Sequence, residues 1–245
     1  MKVAAIIQAR MGSTRLPGKI LKTVNGKTLL EYQIERVERA KLIDEIIIAT
    51  TIKESDDPIV QLCQQLSIPY YRGSEDDVLS RYYEAAINNN VQVIVRLTSD
   101  CPIIDPEIID ETIRVYLDNK NTVDYVSNTL ERTFPRGLDT EVFSFDVLNQ
   151  AYKTSKEKIY REHVTSFIYG NPDTFKLKNV PSLNDYSEHR WTVDTEEDFI
   201  LIKNILEALY PVEKEFKLND IIKLLNENPE WKEINSHIEQ KKLIE

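Results

Sequence analysis

Six glycines, two cysteines and two methionines in 245 residues are what this chain is poor in. The cysteines, Cys63 and Cys101, sit in unrelated settings without metal-type spacing. That excludes a disulfide scaffold and a zinc finger, and a reduced, cytoplasmic protein is the expectation. No apolar run approaches the roughly 20 residues of a membrane-spanning helix. The N-terminus runs into a strand-like segment without a signal-peptide core or cleavage site, so no membrane partner is expected. Cations are short too: 31 Lys and Arg against 41 Asp and Glu leave a formal charge of −10. A general nucleic-acid binder carries the opposite field, so no nucleic-acid partner is expected either. Apolar residues make up 41% and charged residues 29%, which excludes wholesale disorder. Repeats, low-complexity tracts and linkers are absent, and the expectation is a single domain over 1–245.

Against that background, β-branched runs alternate with amphipathic patterns. Strands are predicted at 2–8, 45–51, 69–72, 92–98 and 123–128, and helices at 28–40, 57–66, 77–88 and 107–117. Asp105 and Pro106 read as an N-cap followed by proline at the first helical position. This alternation implies βαβ units, a mostly parallel sheet and helices on both faces, an α/β class with ligands at the carboxyl ends of the strands. The second half is less regular. Residues 141–145 alternate like an exposed or edge strand, and 175–180 like another. Helices are predicted at 146–154, 160–169, 196–209 and 218–226, with 232–245 a surface helix or fraying tail.

Two of the scarce glycines and three cations fall together in QARMGSTRLPGK, residues 8–19, directly after the first strand. Gly12 lets backbone amides approach a ligand closely, Arg10 and Arg15 offer planar forks, and Lys19 a compact charge. The composition suits a phosphate-bearing ligand or a solvated turn. The spacing is that of neither a P-loop nor a dinucleotide fingerprint, since Gly12 and Gly18 lie six apart and Ile20 follows the lysine. Asp100, past the end of the 92–98 strand, either contributes one carboxylate to a Mg²⁺ shell or satisfies turn amides before Pro102. Asp194 ends a β-branched run; it or Thr195 caps the next helix, and with Asp100 it can pinch one metal. Glu197 and Asp198 read only as first-turn acids. Arg136-Gly137-Leu138-Asp139 and Arg161-Glu162-His163 supply cations for an acidic substrate or surface ion pairs. No nucleophile, base and orienter can be assembled.

Taken in order, Gln8–Lys19, Arg72–Leu79, Thr98–Asp105, Phe134–Phe143, Arg161–Thr165 and Trp191–Asp198 resemble the SpsF-like branch of the cytidylyltransferases, relatives of the CMP-sialic acid and CMP-Kdo synthetases. The resemblance implies a nucleotide-diphosphosugar transferase fold of the GT-A type, an α/β/α sandwich. Residues 1–130 would form the nucleotide-binding half, and 131–245 the sugar-binding half carrying the second metal ligand. It implies transfer of CMP from CTP to the hydroxyl of an acidic sugar with release of pyrophosphate, serving surface or spore coat polysaccharide synthesis.

On this chain the family's triphosphate loop falls on Gln8, Ala9, Arg10, Met11, Gly12, Ser13, Arg15 and Lys19. Asp100 and Asp194 fall on its Mg²⁺ ligands, and with Arg15 and Lys19 they form the implied catalytic set. Thr98, Ser99, Arg72 and Gly73 fall where the nucleoside is held. Arg136, Gly137, Asp139, Glu141, Arg161 and His163 would border the sugar. Relatives often dimerise, which leaves a homodimer open. Two alternatives stand beside this reading: a metal-dependent glycosyltransferase, which typically needs an Asp-x-Asp that this chain lacks, and a non-catalytic nucleotide-binding protein.

Overall fold

The structure, a computed structural model, describes residues 1–240. The first strand, β1 (Val3–Gln8), leads through a short 3-10 turn into a hairpin of β2 (Thr23–Val24) and β3 (Lys27–Thr28). Asn25 and Gly26 turn the hairpin at φ 50° and 78°, the pairing a tight Asn-Gly turn demands. Then follow α1 (Leu29–Val37), β4 (Glu45–Thr51), α2 (Asp57–Leu66), β5 (Tyr70–Gly73), α3 (Val78–Asn88), β6 (Val93–Thr98), α4 (Pro106–Asn119) and β7 (Tyr125–Ser127). The remainder is β8 (Glu141–Ser144), α5 (Phe145–Thr154), α6 (Lys158–Glu162), α7 (Ser166–Tyr169), β9 (Leu177–Asn179), α8 (Glu196–Leu209) and α9 (Leu218–Glu227).

Seven strands form one sheet in the order β5-β4-β1-β6-β8-β7-β9, parallel except where β8 runs antiparallel to β6 and β7. The two-residue period of a strand feeds both faces. Ala5, Ile7, Val93 and Val95 pack with Ile34, Ile59 and Ile109 of α1, α2 and α4. Ala4, Ile6, Ile47 and Ile94 pack with Leu79 and Tyr82 of α3 and Leu148 of α5. Burying each large apolar side chain contributes about 1.5–3 kcal/mol, so this two-sided burial is what holds the central strands. A third cluster joins Trp191, Ile202 and Ile205 to α9 and α1. Asp105 caps α4 as expected, accepting from Glu107 N–H at 2.9 Å, and its second oxygen accepts from Leu218 N–H at 2.8 Å.

Three expectations need correction. The 141–145 segment is not an exposed or edge strand; β8 is interior and buried. Its polar position is no solvent face, because the Glu141 carboxylate is neutralised by Arg96 directly across on β6. The helix over 160–169 breaks into α6 and α7 at Val164, which takes φ 36° while fully buried. Residues 232–237 form turns and bends and 238–240 are irregular, with no helix, and Asn235 among them is buried; 241–245 lie outside the described residues.

Candidate active site

The carboxyl ends of β1, β4, β6 and β7, with the start of antiparallel β8, share one edge, so the connecting loops gather there. The loop after β1 is pinned. Met11 N–H donates to Asp56 Oδ1 at 2.7 Å, while Met11 O accepts from Ser13 N–H at 2.9 Å and Gly18 N–H at 3.0 Å. Asp56 is buried and its other oxygen accepts from the Thr51 hydroxyl at the end of β4. Gly18 closes the loop at φ 67° and starts the turn that delivers Lys19.

Lys19 is the hub. Its ammonium donates to Asp194 Oδ1 at 2.7 Å and Asp100 Oδ2 at 3.3 Å. Those aspartates come from distant segments, aligned by the backbone: Val193 N–H donates to Asp100 O at 2.8 Å, and the Thr192 hydroxyl to the same oxygen at 3.2 Å. Asp194 Oδ2 also meets Arg15 and Arg190, each at 2.8 Å. Burial would lower the Lys19 pKa, but Asp100 and Asp194 outweigh it and hold the ammonium above its ordinary 10.5. Burial would likewise raise the Asp100 carboxyl, yet Lys19 and the Thr98 hydroxyl hold it below 3.8. Cys101 is the opposite case. Burial, then the Asp100 charge, push its thiol well above 9.0, so it is an inert neighbour.

A cavity of about 500 Å³ opens beside this cluster, reached by Thr98, Asp100, Asp194, Arg136, Glu141 and His163; Gly137 and Asp139 lie on its wall as well. Gly137 takes φ 102°, and a Cβ there would stand 2.6 Å from the Trp191 carbonyl carbon, so the wall closes only around glycine. Arg132 grips Asp139 with both prongs, at 2.6 and 2.8 Å. Arg96 is spent on Glu141 and reaches Gln8 Oε1 at 3.2 Å; Glu141 also accepts from the Tyr125 hydroxyl at 2.9 Å. Arg136 differs. Among the described residues no carboxylate lies within salt-bridge reach of its guanidinium, and burial, then Arg132 nearby, lower its pKa.

Several expected residues are tied up outside the cavity wall. Arg72 lies on β5, within the predicted 69–72 strand, donating to Thr51 O and Lys53 O at 2.8 Å each and pairing with Asp57. Gly73 ends the same edge strand. Arg161 ties α6 to Asp77, the cap of α3, and to Tyr152 O at 2.9 Å. Arg10 is half-exposed, 3.6 Å from Glu75. Asp198 is more than a first-turn acid. It is fully buried, and its carboxylate accepts from Arg190 Nε at 2.9 Å and Nη2 at 3.0 Å. Thr195, not Asp194, caps α8. Sequence reasoning passed over Arg96, Arg132, Asp56 and the Arg190–Asp198 pair. Their only signal was a charge beside a motif, since each partner lies on another element.

Strand topology, an anchored cationic loop and a lysine held by two aspartates, one past the end of β6 and one in the irregular segment before α8, define a nucleotidyltransferase of the α/β class. Residues 4–243 match the cytidylyltransferase family, and the chain belongs to it. It is 42% identical over 243 residues to the uncharacterized protein MJ1063 of Methanocaldococcus jannaschii, covering 98% of this chain and 97% of that one. To the spore coat polysaccharide biosynthesis protein SpsF of Bacillus subtilis it is 35% identical, covering 92% and 94%. A cytidylyltransferase from Leptospira borgpetersenii superposes with a TM-score of 0.91 at 34% identity, over 99% of this chain and all of the other. The fold also matches a CMP-2-keto-3-deoxy-manno-octonic acid synthetase, at a TM-score of 0.66 and 16% identity, over 84% and 99%.

Proposed function

We propose that this cytidylyltransferase moves CMP from CTP to a hydroxyl of an acidic sugar, releasing pyrophosphate, for surface polysaccharide synthesis. The observation that carries the reading is the juxtaposition of the Lys19–Asp100–Asp194 cluster with a cavity whose Arg136 has no carboxylate within reach among the described residues. An unpaired, half-buried guanidinium favours a carboxylate-bearing acceptor over a neutral one. Similarity to the spore coat polysaccharide biosynthesis protein SpsF supports a role in polysaccharide synthesis, and similarity over about half the chain to 3-deoxy-manno-octulosonate cytidylyltransferases supports a sugar acid as acceptor.

Asp100 and Asp194 suit Mg²⁺. They are hard oxygen donors that already share one cation, and two carboxylates leave coordination positions for phosphate oxygens and water. Bound there, Mg²⁺ would neutralise triphosphate charge and acidify the attacking hydroxyl. The rest falls to the chain. Arg15 and Lys19, on an anchored loop, hold the triphosphate and take up charge on the departing pyrophosphate, and Arg136 orients the sugar. Such transfers depend on positioning and charge stabilisation more than on covalent chemistry. Titration of the protein with CTP, UTP, ATP and GTP, with and without Mg²⁺, is expected to show CTP selectivity that Mg²⁺ strengthens and Asp100→Asn weakens. Equal affinity for all four, or none, overturns the reading.

A further inference from the structure

Arg190 has no role in the transfer just described, yet it is among the most buried cations of the chain. Its Nη2 donates to Asp194 Oδ2 at 2.8 Å, and its Nε and Nη2 clasp Asp198 at 2.9 and 3.0 Å. Asp198 in turn accepts from the backbone N–H of Asp194 at 2.9 Å and of Thr195 at 3.1 Å. One guanidinium–carboxylate pair therefore holds Asp194 at both its side chain and its main chain. A third group closes the arrangement from outside the α8 region. Asn235, buried in the segment after α9, donates its amide to Asp198 Oδ1 at 2.8 Å and to Arg190 O at 2.9 Å. Gln240, which reaches the cavity, accepts from Arg190 Nη1 at 2.6 Å.

A buried Arg–Asp pair is costly to desolvate and adds little stability by itself. What it provides here is orientation. With Oδ2 of Asp194 turned to Arg190 and Arg15, Oδ1 is left facing the Lys19 ammonium, which it shares with Asp100. We propose that Arg190 is a positioning residue for Asp194, and that Asn235 makes the 232–240 segment part of the metal-holding apparatus. The inference rests on the reading of Asp194 as a metal ligand given above. Groups that orient a ligating carboxylate typically change metal affinity by about 10–100-fold when removed.

The test is Mn²⁺ binding, read by electron paramagnetic resonance in the presence of saturating CTP, on wild type, Arg190→Lys and Asn235→Ala. Both variants are expected to bind Mn²⁺ at least about 10-fold more weakly, while their metal-free affinity for CTP stays within about twofold. A role in stability alone would lower the melting temperature and leave Mn²⁺ affinity of the folded protein unchanged. If Arg190→Lys does not fold, Asn235→Ala decides. Folded Asn235→Ala that takes up Mn²⁺ like wild type overturns the inference and spares the function. Wild type that takes up no Mn²⁺ with CTP bound overturns both.

Discussion

The Lys19 ammonium stands 2.7 Å from Asp194 Oδ1, across 175 positions of sequence. With Asp100 at 3.3 Å, a cation from the first loop bridges two carboxylates, one just past the end of β6 and one just before α8. On the function proposed above, an incoming triphosphate would exchange that partnership: Lys19 would turn to phosphate oxygens and leave both carboxylates available to hold a metal.

Lys19→Ala is therefore expected to lose at least about 100-fold in turnover, the scale for removing one group that stabilises transition-state charge. Single-turnover kinetics measure it. Near wild-type turnover would remove Lys19 from the reaction.

Arg136→Met should raise KM for the acidic sugar by about 10–100-fold, the equivalent of one charged hydrogen bond, with KM for CTP unchanged. Steady-state kinetics with each substrate varied separate the two constants. A matching rise in KM for CTP would place Arg136 with the nucleotide instead.

Asp56→Ala removes the acceptor for Met11 N–H and for the Thr51 hydroxyl. A buried donor left without its partner costs about 1–3 kcal/mol. Weaker CTP binding together with a lower melting temperature is the expected pair of effects. Unchanged CTP affinity would show that the loop needs no such anchor.

Protonation follows from the same cluster. The Asp100 carboxyl lies below its ordinary 3.8 and the Lys19 ammonium above 10.5. A lowered acid contributes stability that is present above 3.8 and lost as pH falls through its folded value. A raised base contributes stability that is present below 10.5 and lost as pH rises through its folded value. Across the neutral range the pair thus stays charged, and carboxyl NMR titration of Lys19→Met should show Asp100 moved upward. An unmoved Asp100 would mean that Lys19 is not what lowers it.

Gly137→Ala is expected to cost about 1–3 kcal/mol from its left-handed backbone alone, and more from the contact with Trp191. Calorimetric melting would reveal it; an unchanged midpoint would mean that this wall yields.

Much of this was legible in sequence. Strand and helix alternation through residue 128 follows from periodicity and capping, and α4 begins where Asp105 and Pro106 say it should. The Gln8–Lys19 loop stands out because two of only six glycines fall there beside three cations, in a chain of net negative charge. The losses have one physical cause: a polar residue reads as exposed until its partner is known. Glu141 made β8 look like an edge because Arg96 is 45 positions away. Asp198 looked like a cap acid because Asn235 and Arg190 are joined to it only in space. The turn at Val164 that divides α6 from α7 follows from burial against α3 and α5, which no local pattern encodes.

The central claim is CMP transfer to an acidic sugar, and pyrophosphate release tests it most directly. CTP, UTP, ATP and GTP would each be offered with Mg²⁺ and a panel of 2-keto sugar acids and neutral sugars. Release with CTP and a sugar acid only, lost in Asp100→Asn, is the predicted result. Release independent of the acid group, or none with any sugar acid, would contradict it.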